Sequence, residues 1–278
     1  MTPSSVSLAD HTKFDPQAGD VMGNINKANA LLNKANPNTS IFLSCQSLLF
    51  MVPNVEPAGR YESVQDFEVA NTGPTSLWAR EKAIAYKCVV IAGYAEKDEK
   101  KSDSPVYYNS AIVVNEDGKF TGNYRKNYLH PRKDKWASHG LEFFHKSIPN
   151  LGQVSMGISM DLNPEHLEAP KFAHEFAHEI LSYGAELIIL PMSWWTGAAI
   201  DTKFPSRPLL CWLNRLEPLF RRNRQDEITC VFANRVGTEG EDVYVGKSAV
   251  VKIGYESLKV CGALGSTEED LLVVDTQA

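Results

Sequence analysis

Apolar residues are spaced in two ways along the first part of the chain. Within residues 20–35 they recur at i, i+3 and i+4, a spacing that predicts an amphipathic helix with Asp20 or Asn24 as its cap. Residues 75–86 predict a second helix. Each predicted helix is followed by a short apolar run that indicates a buried strand. These runs occupy residues 41–46 and 87–95.

Two apolar runs in the middle of the chain flank a helical stretch. The first, residues 154–158, ends in a turn that presents Ser159, a small hydroxyl residue. The second begins at Gly184 and ends near Trp194. Together they predict a β-α-β unit, in which functional groups gather at the carboxyl ends of the parallel strands. The position of Ser159 is therefore one where a nucleophile is expected.

The remaining segments mix hairpins with further strands. An Asp117-Gly118 step between two apolar stretches is a strong hairpin signal, and the charged residues 97–104 before it predict an exposed loop. The hairpin strands fall at residues 110–115 and 119–124, a helix at 209–220, and later strands at 228–233, 248–253, 258–261 and 271–274. Helix and strand alternate in both halves, which indicates an α/β protein whose sheets are covered by helices on one face.

Length and charge narrow the class of protein. A chain of 278 residues, 43% of them hydrophobic, suits one large α/β domain spanning residues 1–278. A net charge of −6 predicts no general affinity for nucleic acid or for anionic membranes. No apolar run approaches the roughly 20 residues needed to span a bilayer, and the N-terminus lacks the pattern of a signal peptide. We expect a cytoplasmic protein, with the nucleus left open as a second location.

The cysteines predict neither disulfides nor a zinc ribbon. They are five in number, widely scattered and without any C-x-x-C pair, so reduced and mostly buried thiols are expected. They are Cys45, Cys88, Cys211, Cys230 and Cys261.

Three segments carry a resemblance to a known family. Tyr124-Arg125-Lys126, the run from Val154 to Pro164 and the run from Gly184 to Trp194 resemble the carbon–nitrogen hydrolase (nitrilase) superfamily. Within it they are most similar to the fungal-type protein N-terminal asparagine/glutamine amidohydrolases, whose nucleophile motif reads Gly-Ile-Cys-Met-Asp-Leu-Asn-Pro. The resemblance implies a four-layer αββα sandwich and an enzyme that needs no cofactor and no metal.

The resemblance also implies the roles of three residues. The family uses a glutamate as base, a lysine that stabilises the oxyanion and a cysteine as nucleophile. Lys126 matches the lysine, whereas Ser159 stands at the cysteine position and Gln46 at the glutamate position. A glutamine amide has no basic site near neutral pH, and a serine hydroxyl is far less acidic than a cysteine thiol with its pKa of roughly 8.5. We therefore expect a weakly active or inactive chain.

The substrates implied are proteins or peptides that begin with Asn or Gln. Their side-chain amides would be hydrolysed through an acyl-enzyme to Asp or Glu, with release of ammonia, as a step of the N-degron pathway. The candidates for substrate binding, including the α-ammonium group, are Asp134, Asp161, Trp194 and Asp201. A catalytically dead binding protein on the same fold is the alternative, and a homodimer is left open.

A separate motif keeps a zinc peptidase open as a further alternative. Residues 174–178 read H-E-x-x-H, which on a helix presents His174 and His178 as zinc ligands and Glu175 as the base. A third ligand would have to come from Asp201 or Glu217. Because residues 165–183 look helical with their apolar stripe on another face, we favour histidines that face solvent or another subunit.

Overall fold

Two six-stranded sheets form the centre of the part of the chain that the computed structural model describes. That part comprises residues 7–13, 15–17, 19–35, 41–45, 67–99, 104–164, 174–196, 208–222 and 226–276. Each sheet has two neighbouring parallel pairs at its centre and antiparallel pairs around them. The two sheets are thus built on the same plan.

The first sheet takes strands from the beginning and from the end of the chain. Its strands are β1 (Ser7–Lys13), β2 (Ile41–Cys45), β3 (Val89–Asp98), β4 (Val106–Val114), β5 (Phe120–Arg125) and β14 (Asp270–Asp275). Their order is β14-β1-β2-β3-β4-β5. Strands β1, β2 and β3 are parallel, and β5 is antiparallel to β4, which is itself antiparallel to β3. Strands β2, β3 and β5 therefore end at the same edge of the sheet.

The second sheet contains the predicted β-α-β unit. Its strands are β6 (Phe144–Ile148), β7 (Gly152–Met156), β8 (Leu187–Met192), β9 (Ile228–Asn234), β12 (Ala249–Gly254) and β13 (Ser257–Ala263). Their order is β13-β12-β9-β8-β7-β6, and β7, β8 and β9 are parallel. Two short strands, β10 (Thr238–Glu239) and β11 (Asp242–Val243), pair with each other.

Helices cover the outer face of each sheet. They are α1 (Val21–Ala35), α2 (Pro74–Tyr86), α3 (Glu175–Tyr183), α4 (Pro208–Arg215) and α5 (Glu217–Arg221). The side chain of Asp20 caps α1, since its Oδ1 accepts a hydrogen bond of 2.8 Å from the amide of Gly23. No helix among the described residues is long and apolar enough to cross a membrane.

Alternation along β3 shows how the layers are stacked. Val90 and Ala92 belong to a buried cluster with side chains of α1 and α2, whereas Val89 and Ile91 belong to the cluster that includes the second sheet. The cluster that contains Val89 and Ile91 continues through β8 to residues of α3, α4 and α5. The order of layers is therefore helices, first sheet, second sheet, helices. The predicted α/β fold with four αββα layers is confirmed.

Some boundaries differ from the sequence predictions. The predicted helix at 209–220 is two helices, because Pro218 lacks an amide hydrogen and its ring prevents a continuous helix through this point. Strand β3 extends to Asp98, into residues predicted as a loop, because β4 pairs with it along its whole length. Strands β1 and β6 were not predicted, since neither carries a continuous apolar run.

The described cysteines are free thiols. Cys88, Cys211 and Cys230 are buried and Cys261 is half-buried, as their apolar sequence surroundings predict. Burial raises the pKa of the Cys88 thiol to about 12, so this thiol is unreactive near neutral pH. The side chain of Cys45 lies outside the described residues.

Candidate functional site

Lys126 follows directly after β5 and its side chain is buried. Its amide donates a 2.7 Å hydrogen bond to the carbonyl of Asn109, and its own carbonyl accepts one of 2.7 Å from the amide of Gly140. The ammonium Nζ donates to Oδ2 of Asp134 at 2.6 Å, and both side chains are at most 6% exposed. The backbone and the charged end of Lys126 are thus both held in place.

Asp134 is the counter-ion of this buried lysine. Its carboxylate also accepts hydrogen bonds from the amide of His130, at 2.7 Å, and from the side-chain amide of Asn109, at 3.2 Å. Burial by itself would raise the pKa of Asp134, but Lys126 and these hydrogen bonds hold that pKa below its ordinary value. Asp134 is therefore ionised at neutral pH.

Ser159 opens a short 3-10 turn, Ser159–Leu162, immediately after β7. The sequence predicted a turn at this point, and a single 3-10 turn forms at the nucleophile position. Ser159 is 7% exposed and has a φ of +45°, a left-handed conformation that costs a non-glycine residue about 1 kcal/mol or more. The surrounding contacts must hold the backbone in this conformation.

Asp161, in the same turn, supplies much of that restraint. Its Oδ2 accepts hydrogen bonds of 2.6 Å from the amide of Ile158 and from the hydroxyl of Tyr124 on β5. Its Oδ1 accepts from the amides of Asn127 and Tyr128, at 3.1 and 2.7 Å. The carboxylate therefore joins the turn that carries Ser159, at the edge of the second sheet, to the chain on both sides of Lys126, at the edge of the first.

The electrostatic surroundings of Asp161 differ from those of Asp134. The side chain is completely buried, and the donors that contact it are amides and a hydroxyl rather than a cation. Burial raises the pKa of Asp161 to about 6, although the hydrogen bonds from Tyr124, Tyr128 and Ile158 and the charge of Lys126 oppose that shift.

Asp134 and Asp161 are both engaged by internal hydrogen-bond donors. Each is buried, and the hydrogen bonds described above engage both oxygens of each carboxylate. These contacts suit positioning roles, one for the side chain of Lys126 and one for the turn at Ser159. Substrate binding by the two carboxylates, as the sequence interpretation has it, stays a prediction.

Two residues of the sequence interpretation, Gln46 and Asp201, lie outside the described residues. Strand β2, which Gln46 follows, ends at Cys45, at the same edge of the first sheet as β5. The convergence of Gln46 with Lys126 and Ser159 stays a prediction.

The two tryptophans at the end of β8 have different surroundings. Trp194, the sequence candidate for substrate binding, packs its ring edge-on against Trp212 in the core, at a centroid distance of 6.1 Å. Trp195 instead lies edge-on to the ring of His130, with centroids 4.8 Å apart. Since the amide of His130 donates to Asp134, Trp195 is the tryptophan next to the Lys126–Asp134 pair. The sequence signal, two adjacent tryptophans after a strand, did not distinguish them.

A second group of charges lies beside Trp195. Lys133 Nζ is 5.4 Å from the centroid of the Trp195 ring and pairs with Asp242, which also accepts a 2.7 Å hydrogen bond from Nη2 of Arg132. Burial lowers the pKa of His130, although the charge of Asp134 opposes this shift. His130 is therefore neutral at pH 7 and adds no charge to this side of the site.

The H-E-x-x-H motif is only partly within a helix, since His174 lies before the helix that carries His178. The helix begins at Glu175, and His174 before it has a left-handed φ of +36°. Its Nδ1 donates a 3.1 Å hydrogen bond to the carbonyl of Arg215. His174, His178 and Glu217 line the same groove between α3 and α5, but Glu217 pairs with Arg221. Among the described residues, no three His, Cys, Asp or Glu side chains are grouped to hold a metal ion.

Comparison with known protein sequences points to one family. Residues 13–158, just over half of the chain, match the family model described as carbon-nitrogen hydrolase. The chain is 29% identical to the protein N-terminal amidase of Schizosaccharomyces pombe, over 94% of this chain and 96% of that protein. It is 26% identical to the protein N-terminal amidase of Saccharomyces cerevisiae, over 69% of this chain and 45% of that protein.

Comparison with solved structures supports the fold. A crystal structure of N-terminal amidase superposes with a TM-score of 0.80 at 18% identity, covering 98% of this chain and 97% of the other. A crystal structure of N-terminal amidase with an Asn-Glu-Ala peptide superposes with a TM-score of 0.76 at 19% identity and the same coverage. At such identities the likeness shows a shared fold and nothing finer.

Proposed function

This chain belongs to the carbon–nitrogen hydrolase family, and we propose that it recognises Asn or Gln at the N-terminus of a peptide or protein. The reaction of its active form would hydrolyse the side-chain amide to Asp or Glu and release ammonia, a preparatory step for N-degron recognition. The observation that carries the proposal is the similarity over nearly the whole of this chain to a relative named protein N-terminal amidase.

The geometry around Lys126 is suited to stabilising an oxyanion. An ammonium group has three N–H donors, and among the described residues Asp134 engages one of them. Within the described part of the chain, the remaining donors are available to the oxygen that becomes negative when a nucleophile attacks an amide carbon. Asp161 joins the chain at Lys126 to the turn of Ser159, so a substrate amide held between them would meet both residues.

The residues at two positions make the chain as written a weak catalyst or none. Ser159 needs a strong base to become a nucleophile, and Gln46 at the base position cannot accept a proton near neutral pH. We propose that this chain retains substrate recognition and has lost most of its turnover. A binding protein specific for N-terminal Asn or Gln is accordingly the second candidate function.

Restoring the two residues tests the proposed reaction. We expect the double variant Ser159→Cys, Gln46→Glu to release ammonia from Asn- or Gln-initiated peptides far faster than the chain as written, since nucleophile and base would again act as a unit. Each single variant should change the rate little. Ammonia release is measured enzymatically and the new terminal Asp or Glu by mass spectrometry.

A matched control distinguishes the effect of a thiol at position 159 from the effect of a thiol elsewhere in the chain. The variant Ser182→Cys, Gln46→Glu places the same thiol on the exposed end of α3 and should remain inactive. If the double variant folds correctly and binds the peptides but releases no ammonia, the binding protein is the one candidate function that remains. Rapid turnover by the chain as written would show that the roles given to Ser159 and Gln46 are wrong.

A further inference from the structure

Asn163 follows the 3-10 turn that Ser159 opens, and its side-chain oxygen is unusual. Its side chain is only 2% exposed, yet its Oδ1 has no hydrogen-bond partner among the described residues. Its Nδ2 donates to the sulfur of Met160 at 3.5 Å, which distinguishes the two ends of the amide. The acceptor end of this buried amide is therefore the free end.

The turn places Asn163 close to the nucleophile position. Its amide donates a 2.8 Å hydrogen bond to the carbonyl of Met160 and so closes the 3-10 turn that Ser159 opens. With a rise of roughly 2 Å per residue, the Cα atoms of the two residues are about 8 Å apart. The two residues are therefore neighbours within one tight turn.

A buried acceptor without a partner is costly, and this one has no evident structural reason. Leaving such an oxygen unsatisfied costs about 1–3 kcal/mol. The carboxylates of the same region are engaged by internal donors, Asp134 by Lys126 and Asp161 by Tyr124 and three backbone amides. Among these polar side chains, the Asn163 oxygen is the acceptor that a ligand could satisfy.

We propose that Oδ1 of Asn163 accepts a hydrogen bond from an N–H group of the substrate's N-terminal residue, a specificity contact that rests on the function proposed above. In an N-terminal Asn, the α-nitrogen is separated from the attacked amide carbon by three covalent bonds, and the carboxamide nitrogen by one. Both nitrogens are therefore within three covalent bonds of the carbon that a nucleophile at position 159 would attack. Both are N–H donors, the chemistry that an isolated amide oxygen recognises.

Binding to the chain as written tests this contact without requiring turnover. Calorimetry would compare three ligands: an Asn-initiated tripeptide, its analogue without the α-amino group, and its analogue with the carboxamide replaced by a methyl ester. We expect Asn163→Leu to weaken binding of the tripeptide about tenfold, the loss of one hydrogen bond to a buried group. The same substitution should not weaken binding of the analogue that lacks the recognised N–H group, and this identifies which nitrogen it is.

Two further variants keep the result interpretable. Asn214→Leu makes the same exchange at an exposed position in the groove beside α5 and should leave all three affinities unchanged. If Asn163→Leu does not fold, Asn163→Asp decides the matter, because its carboxylate is a stronger acceptor and should increase the preference for the tripeptide over one analogue. Unchanged preferences in both Asn163 variants would overturn the Asn163 contact alone. A tripeptide that does not bind the unmodified chain would overturn the proposed function as well.

Discussion

The loop after β5 and the turn after β7 each bury an acidic side chain, and the two acids are held in different ways. Asp134, in the loop, pairs with the ammonium of Lys126 at 2.6 Å. Asp161, in the turn, accepts hydrogen bonds from three amides and one hydroxyl. The pKa of Asp134 is held below its ordinary value, whereas burial raises that of Asp161 to about 6.

The contrast shows what each carboxylate can contribute. A cation close to a buried acid favours its charged form strongly, whereas neutral donors offset only part of the desolvation cost. Asp134 therefore holds the side chain of Lys126 in place. Asp161 instead connects two chain segments, since its hydrogen-bond donors come from the chain around Lys126 and from the turn of Ser159.

The largest loss of stability should follow from Asp134→Asn. This substitution leaves the buried ammonium of Lys126 without its counter-ion, and breaking a buried ion pair from one side costs about 3–5 kcal/mol. We expect the free energy of unfolding, measured in urea, to fall by that amount. Adding Lys126→Met should restore much of the stability, because no uncompensated charge then remains. A loss below about 1 kcal/mol for Asp134→Asn would show that Lys126 is not held by this pair.

The pH dependence of stability should distinguish the two acids. For Asp161, a folded-state pKa of about 6 against an ordinary 3.8 means that the folded state binds the proton more tightly. Its contribution is fully present below about pH 4 and is lost as the pH rises to about 6, by at most roughly 3 kcal/mol at 1.4 kcal/mol per pKa unit. For Asp134 the sign is opposite, and its contribution is lost as the pH falls below the ordinary pKa.

The measurement is a series of urea unfolding curves between pH 4 and pH 7. The difference in unfolding free energy between the unmodified chain and Asp161→Asn should decrease as the pH rises through this range, because the amide of the variant does not titrate. The corresponding difference for Asp134→Asn should stay nearly constant over the same range. A constant difference for Asp161→Asn would mean that its carboxylate is ionised throughout.

A smaller loss of stability is expected for Tyr124→Phe, which removes one of the four hydrogen-bond donors to Asp161. A hydrogen bond to a charged group contributes about 1.5–3 kcal/mol, and the three backbone amides remain, so a loss near the lower figure is expected at pH 7. The variant should also shift the pH-dependent step of Asp161 to higher pH. Tyr86→Phe, at the half-buried end of α2, serves as the control and should change neither quantity.

Much of the fold was predictable, because it depends on local pattern. The helix after Asp20, the hairpin at Gly118 and the β-α-β unit that ends at Ser159 and near Trp194 all follow from spacing and turn residues. The split of the helix at Pro218 is also local, whereas the errors at two strands depend on distant partners. Strand β3 runs on to Asp98 because β4 pairs with it, and β1 forms between two strands that supply its hydrogen bonds.

The amino-acid sequence by itself determined the alternation of helix and strand, the family resemblance with the four layers that it implies, and the unusual residues at Ser159 and Gln46, since periodicity and motifs are local features of the chain. Only the tertiary structure decided what the buried polar groups do. It paired Asp134 with Lys126 and placed Asp161 where its carboxylate connects segments at the edges of the two sheets. It also left the oxygen of Asn163 without a partner among the described residues. The physical reason is that hydrogen-bond partners are chosen by proximity in the fold, and these partners lie up to 37 residues apart in the chain.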